Sequence, residues 1–542
     1  MTAAIDAPAG HRPPRAGGAV TLTAARLLRI ELCRSAMPWI LPVIAALFWF
    51  DSYRGGPPTP PYWVPRTFWN MGQGRAFMDF APFVAGVAAW IGSRDGRRRT
   101  ADLVTGAVRP RWAAQLAAWA AAATWAVGAY LVFVGVMFAV YAHQGLQGSP
   151  PWWSVAVGAA AVTAFSAAGF AVGAFFPSRF AAPAAAFGAF LAVILSSQNG
   201  FGDTSGWPLI LPTNANGNYQ PLSGIFYPYL PDLPIARMMF LAGIAVAALG
   251  LLGLPARVGG PWLRWVAVVV TLAGVAAAGT ASGLVRTARL TPHGMVIPAL
   301  HDAASDRPIG YTPVCEQAAG VPVCLNPAYR RYLAEVAADL RPVLAEVAGL
   351  PGAPARVAQV AGRYTRFQFE FVSAQAVQVM ISGHSEFVSA PAAAVTISGS
   401  PPVLRVPLDE FNTLPSATPG SAVQFGQELP LLSVHAFVGA GNGAGTAAQQ
   451  AVQAALLQHA GIPFAAQLQA LTIFGLPDWA QADIQGLVAA SSTTTNPDQP
   501  LAGPVYAAAR RLAALPAAAR HAWLAAHLAA LRSGQLTLGQ LP

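Results

Sequence analysis

The side chains able to do chemistry are few, and most are spaced wrongly for it. A zincin site needs two histidines and a glutamate on one helical face, in the pattern H-E-x-x-H. The nearest string is "GHSEFVS", where His384 and Glu386 stand two apart in a strand-like setting with no second histidine at ligand distance. Two groups on one strand face can begin a metal site but do not complete one, so a polar strand face is the preferred reading. His521 and His527 are six apart on a predicted helix and point in different directions. Asp409 and Glu410 are adjacent, and on a strand they would face opposite ways. "GHSEF" does not meet the nucleophile pattern G-x-S-x-G. No catalytic residue and no metal ligand is assigned, and no enzymatic activity is expected.

Cofactor chemistry fares no better. In "FVGAGNGAGTAAQQ", Gly439, Gly441 and Ala444 formally fit G-x-G-x-x-G/A. A dinucleotide site also needs an acid about 20 residues on, and none comes before Asp478. The competing reading is a turn with Thr446 as the N-cap of the next helix, and no cofactor is expected. Every basic residue other than histidine is arginine. Without lysine there is no Walker A phosphate loop and no lysine Schiff base. Cys315 and Cys324 lie close together in "YTPVCEQAAGVPVCLNP". They could form a disulfide, stay as two thiols or begin a zinc site. No second Cys or His pair at ligand spacing follows, which favours the disulfide. Cys33 has no local partner and is expected to be a free thiol.

The elements that would position these residues are dominated by membrane segments. Hydrophobic residues make up 55% of the 542, charged residues only 10%, and the mean hydropathy is +0.46; this is the composition of a membrane protein. Residues 1–35 read as a cytoplasmic N-terminus carrying an amphipathic interfacial helix, with no cleavable signal peptide. Residues 36–285 read as an α-helical polytopic domain of about seven spans, near 36–50, 79–93, 113–140, 153–175, 181–197, 234–254 and 264–285. No span interior is expected to carry a charge. With the N-terminus inside, the inner segments hold Arg12, Arg15, Arg26, Arg29, Arg34, Arg94, Arg97, Arg98, Arg99, Arg109, Arg111, Arg179, Arg257 and Arg264. The outer loops hold only Arg54, Arg66, Arg75 and Arg237, matched by Asp51, Asp79, Asp203 and Asp232. From Arg286 onward, fourteen arginines meet fourteen acids. The formal +10 therefore lies on the inner segments, as the positive-inside rule describes, and nucleic-acid binding is not needed to explain it.

Seven spans put the remainder outside, where a disulfide persists. That region reads as mixed α/β over 286–440, followed by a helical part over 441–542. "PAYRRYLAEVAADLRPVLAEVAGL" has helical periodicity, while "RFQFEFVSAQAVQVMIS", "AAAVTISGSPPVLRVPL" and "LLSVHAFVG" favour strands. "TAAQQAVQAALLQHAG", "DWAQADIQGLVAAS", "VYAAARRLAAL" and "PAAARHAWLAAHLAALRSG" read as helices. The long aromatic loop 198–233 either lines a substrate entrance or packs as a lid beneath the outer region, the second being preferred.

The stretch "IGSRDGRRRTADLVTGAVRPRW" concentrates six arginines between two apolar runs. "TADLVTGAV" has the pattern of a short amphipathic helix. The stretch is either a surface that contacts a cytoplasmic ATPase or a topology-setting loop against lipid headgroups. Residues 22–112 resemble the permease subunits of the type-two ABC exporter class. The resemblance rests on "LTAARLLRIELCRSAMPW" as an amphipathic surface helix, the span pair after it, and "SRDGRRRTADLVTGAVRPRW" as a basic inner loop with a short helix. Those permeases have six spans; here a seventh leads to a large outer region. That region resembles domains fused to permease-like proteins in actinobacteria, notably at "VCLNPAYRRYLAEV" and "AWLAAHLAALRSGQLTLGQLP". The resemblance implies a plasma-membrane transport subunit served by a separate cytoplasmic ATPase, with Arg94, Arg97, Arg98, Arg99, Asp102, Arg109 and Arg111 as the docking loop. The bilayer is the other partner, and a homodimer is the implied assembly. The alternative from another class is a membrane-anchored extracytoplasmic binding or scaffold protein without transport.

Overall fold

The computed structural model describes residues 16–53, 63, 70–97, 111–198, 224–254, 260–291, 294–361, 395–408, 423–440, 445–462 and 504–542. The chain is mostly helical, with one small mixed sheet. Helix α1 (Ala16–Arg34) bends into α2 (Met37–Tyr53); the segments Ala25–Arg34 and Met37–Phe50 meet at 58°. Two π-helical turns, Asn70–Gly74 and Ala76–Phe80, run into α3 (Ala81–Gly92), and the short α4 (Arg94–Arg97) follows. Then come α5 (Arg111–His143), α6 (Trp152–Phe175), α7 (Ala181–Gln198), α8 (Asp232–Leu251) and α9 (Gly260–Arg286).

Four of these helices are long and apolar enough to cross a membrane: Trp112–His143, Trp152–Phe175, Asp232–Leu251 and Trp262–Arg286. The bent α1–α2 pair makes a fifth if it counts as one span. Three of the seven segments expected from hydropathy fall short by themselves. The first is α2, with Pro42 inside its 17 residues. The second is broken into a π-turn and the 12-residue α3. The fifth is α7, whose apolar part covers Ala181–Ile194. Large apolar side chains are left outward on the long helices, among them Val132 and Val136 on α5 and Val269, Leu272 and Val275 on α9. Exposed apolar side chains on helices of this length suit lipid.

Close helix contact in the bundle depends on small side chains. Gly169 and Gly173 of α6, one helical turn apart, lie against Ala85 and Ala89 of α3. A Cβ added at either glycine would stand 2.7 Å from the Cα of the facing alanine and nearer still to its carbonyl oxygen. This is the small-xxx-small geometry of membrane helix pairs, and it accounts for the small-residue run "GAAAVTAFSAAGFAVGAFF".

The C-terminal region opens with a two-stranded ribbon of β1 (Arg289–Thr291) and β2 (Gly294–Val296). The main sheet has the order β3-β4-β5-β7-β6. Strands β3 (Val314–Ala318) and β4 (Val321–Leu325) are an antiparallel hairpin closed by Ala319 and Gly320, both at positive φ, as a tight two-residue turn requires. Cys315 and Cys324 face each other directly across that hairpin, with Cα atoms 4.1 Å apart, and are disulfide-bonded. Helix α10 (Leu333–Val347) connects β4 to β5 (Arg356–Gln359), which pairs parallel to it; β7 (Val403–Val406) adds parallel to β5, and β6 (Thr396–Ser398) adds antiparallel at the edge.

Helices α11 (Val423–Val438), α12 (Ala447–His459), α13 (Pro504–Ala514) and α14 (Ala517–Arg532) complete the region. One hydrophobic core joins Val323, Leu340 and Leu404 to Phe437, Leu456, Leu512 and Leu528, so side chains from both sides of residue 440 share it. "LLSVHAFVG" was expected to be a strand and is instead the last part of α11. Its apolar residues are buried around the whole helix, with Leu431, Leu432, Val434, Phe437 and Val438 at or below 1% exposure. A helix sunk in a core loses its 3.6-residue signature and reads like a buried strand. Thr446 is the N-cap of α12, in a reciprocal capping box with Gln449, as its position after the glycines predicts.

The strand candidate 366–382, His384, Glu386, Asp409, Glu410, Gly441, Ala444 and the helix candidate in "DWAQADIQGLVAAS" lie outside the described residues, as do Arg98, Arg99, Asp102 and Arg109.

Candidate functional site

At the bend between α1 and α2, the surface helix is tied to the start of the arginine-rich stretch. Arg94 donates from both Nη atoms to the two carboxylate oxygens of Glu31, each at 3.2 Å, across 63 residues of sequence. Such a bidentate guanidinium–carboxylate fork fixes orientation as well as distance. Asp95 adds a second carboxylate 3.6 Å from Arg94. Arg97 lies over the Trp90 ring, 3.4 Å from its centroid, and donates to the Trp90 carbonyl. Trp125 of α5 donates through Nε1 to the carbonyl of Leu32 and so pins the same end of α1. Of the seven predicted docking residues, Arg94 and Arg97 are brought together here beside Glu31; Arg111 stands at the start of α5. Sequence reading took Glu31 as part of an amphipathic pattern and gave it no partner, because nothing local marks a contact 63 residues away. Cys33, on the same helix, is an exposed free thiol.

A second polar group corrects the expectation of charge-free helices. Arg237 is fully buried inside α8 and donates through Nη1 to Gln73 Oε1 at 3.3 Å. Arg75 and Asp79 form an i,i+4 pair at 3.8 Å in the π-helical stretch, with side chains 21% and 12% exposed. Asp232, the first residue of α8, is also fully buried. Residues counted as outer-loop charges are thus inside helices. Buried charges of this kind need partners, and these are supplied from another part of the chain or the next helical turn, which hydropathy does not reveal.

Asp232 leads out of the bundle. Its Oδ2 accepts the backbone N–H of Ile297 at 2.9 Å and lies 3.2 Å from His301 Nδ1. His301 Nε2 is 3.0 Å from Asp306 Oδ2. The carboxylates take opposite ring nitrogens, so they bracket the imidazole and do not converge on a common point. Among the described residues no group of three or more His, Cys, Asp or Glu is arranged to hold a metal ion. The bond to Asp306 raises the His301 pKa; burial opposes this, and the charge of Asp232 adds to it. A raised native pKa stabilises the fold fully below the ordinary histidine value of about 6.5 and is lost as pH rises through the native value. The segment 294–306 is therefore expected to protect its amides from hydrogen exchange better at about pH 6 than at about pH 8, and His301→Gln to remove that difference. An unchanged pH dependence in the variant would show that the bracket carries no such linkage.

The two histidines of α14 make contacts within the C-terminal region. His521 meets the carbonyl of Ala348 at 2.8 Å, and His527 stacks on Trp523 with centroids 4.6 Å apart. The described end of the 198–233 loop, residues 224–233, makes defined contacts. Ile225 and Phe226 belong to the core of the C-terminal region, Phe226 accepts from the Ile309 N–H, and Tyr229 donates to the carbonyl of Trp63. Comparison with protein-family models, curated proteins and solved structures finds no match for the chain.

Proposed function

We propose that this chain is a permease-like transmembrane subunit of an ABC-type transporter, with about seven spans, a cytoplasmic N-terminus and an extracytoplasmic C-terminal region. A separate ATPase drives it, the chain itself has no catalytic role, and two copies complete the assembly. The observation that carries the reading is the Glu31–Arg94 fork. It joins an amphipathic surface helix to the arginine stretch, so that force applied to the stretch would reach α2 and α3 together. The π-helical run with α3, and α7, supply the two further crossings beyond the bent pair and the four long helices. The arginine excess favours the cytosolic side for the bend, and the disulfide favours an oxidising compartment for the opposite face.

Affinity purification of the full chain from its native membranes is expected to recover a Walker A ATPase. Scrambling 101–108 with its charges retained should lower that recovery about tenfold or more, the loss expected when a few contacts at the centre of an interface are removed. Recovery of no ATPase would end the transport reading. The second reading, an anchored extracytoplasmic binding or scaffold protein, is favoured by the C-terminal region having an extensive core and its own disulfide. It predicts soluble or cell-wall partners in the same purification and no effect of the scramble.

A further inference from the structure

The α1–α2 bend encloses a cleft of about 250 Å³ against the ends of α3 and α4 and one turn of α5. Its lining mixes charged and apolar side chains. Arg34, Arg94 and Arg97 line it with a single carboxylate, Glu31, and Trp90, Ile91 and Ala118 supply apolar surface. The Arg94 fork already neutralises Glu31, and Asp95 sits just outside on the same guanidinium. Arg34 is exposed and makes no ion pair among the described residues. The cleft therefore keeps a positive excess.

Its level along the bundle is marked independently. Trp112 at the start of α5 donates to the carbonyl of Leu249 near the end of α8, so the α8–α9 turn lies at this same end. Trp39, Trp90, Trp262 and Trp265, all at helix ends here, are 86%, 45%, 73% and 66% exposed. Trp49 and Trp152, toward the opposite ends of α2 and α5–α6, are 56% and 61% exposed; exposed tryptophans near both ends of apolar helices mark the two headgroup levels of a bilayer, and the cleft lies at one of them. A volume below the usual range for small-molecule pockets, roughly 300–1,000 Å³, suits a phosphate-bearing group and little more.

We propose that this cleft binds the phosphodiester headgroup of an anionic membrane lipid. The phosphate would sit among Arg34, Arg94 and Arg97, and the acyl chains would leave along Trp90 and the apolar flank. A free phosphate offers the same anion, but the apolar surface of Trp90, Ile91 and Ala118 in the lining favours a ligand that carries acyl chains. The site does not depend on whether an ATPase docks nearby.

The test uses the full chain, delipidated in neutral detergent, with lipid adducts counted by native mass spectrometry. Phosphatidylglycerol is expected to bind at least about tenfold more tightly than phosphatidylcholine, and the double variant Arg34→Gln, Arg97→Gln to weaken it by about thirtyfold, as two interfacial arginines would. Arg34→Lys with Arg97→Lys should stay within about threefold of the parent. Ser35→Asp places a carboxylate in the lining while keeping an acceptor for the Met37 N–H, now held by Ser35 Oγ at 3.2 Å. It should weaken phosphatidylglycerol without disturbing the bend, which guards against a misfolded glutamine variant. Equal binding of the two lipids, or unchanged preference in both the glutamine and Ser35→Asp variants, would overturn the site. Inorganic phosphate binding as tightly as the lipid would overturn the lipid assignment.

Discussion

Replacing Gly173 by alanine is expected to destabilise the helical bundle by about 3 kcal/mol, the upper end of ordinary overpacking, and replacing it by valine to leave no monodisperse protein in detergent. The added Cβ would meet backbone, standing 2.7 Å from the Cα of Ala89 and closer to its carbonyl. A flexible side chain could swing aside; a helix backbone cannot without moving the whole of α3. Moving α3 would also disturb the Gly169 contact one turn away, so the two positions should not behave additively. Gly128 and Gly188 are the controls, since a Cβ at either meets nothing within 4 Å. Alanine there should be neutral or stabilise by up to about 1 kcal/mol through the lost backbone freedom of glycine. The measurement is the thermal midpoint of each variant by size-exclusion chromatography after heating. Equal midpoints for the Gly173 and Gly128 alanine variants would mean that α3 and α6 do not cross this closely.

Glu346→Ala should be the most damaging single polar substitution in the C-terminal region, at about 3–5 kcal/mol. Arg520 of α14 is 4% exposed, and Glu346 of α10 accepts from its Nε at 2.8 Å and lies 2.7 Å from its Nη2. Among the described residues, the one other acceptor for that guanidinium is the carbonyl of Leu515, at 3.0 Å from Nη1. Removing the carboxylate leaves a buried charge largely uncompensated. Removing both charges is different: Glu346→Met with Arg520→Met should recover stability to within about 1 kcal/mol of the parent, because an apolar pair also avoids desolvation. Chemical unfolding of the parent, each single methionine variant and the double methionine variant, followed by tryptophan fluorescence, gives the coupling directly. A Glu346→Ala variant as stable as the parent would show the pair to be solvated and of little consequence. The pair joins α10, which lies beside the sheet, to the last long helix. Its loss should therefore unfasten the C-terminal helices from the sheet.

Local composition was enough for several features. Long apolar runs gave α5, α6, α8 and α9 because each span signals itself over about twenty residues. The disulfide was legible because Cys315 and Cys324 stand nine positions apart and no second Cys or His pair follows to complete a zinc site. Thr446 was legible as an N-cap because a cap and the helix it starts are neighbours in sequence. The small residues of α6 permit close packing by themselves but do not say against what.

Tertiary structure decided whatever depends on a partner far along the chain. Glu31 and Arg94 meet across 63 residues, Gln73 and Arg237 across 164, and Glu346 and Arg520 across 174. In each case a charge that looks like surface or loop becomes tolerable in a low-exposure setting only because its partner arrives from another helix. Burial likewise turned "LLSVHAFVG" from an apparent strand into a core helix, since a segment covered on every side carries no periodicity. Residue order thus determined which stretches leave water and on which segments the positive charge stays, because both follow from each stretch's own transfer energy. Which polar groups could follow those stretches inward was decided only by the packing that brings their counter-charges and acceptors to them.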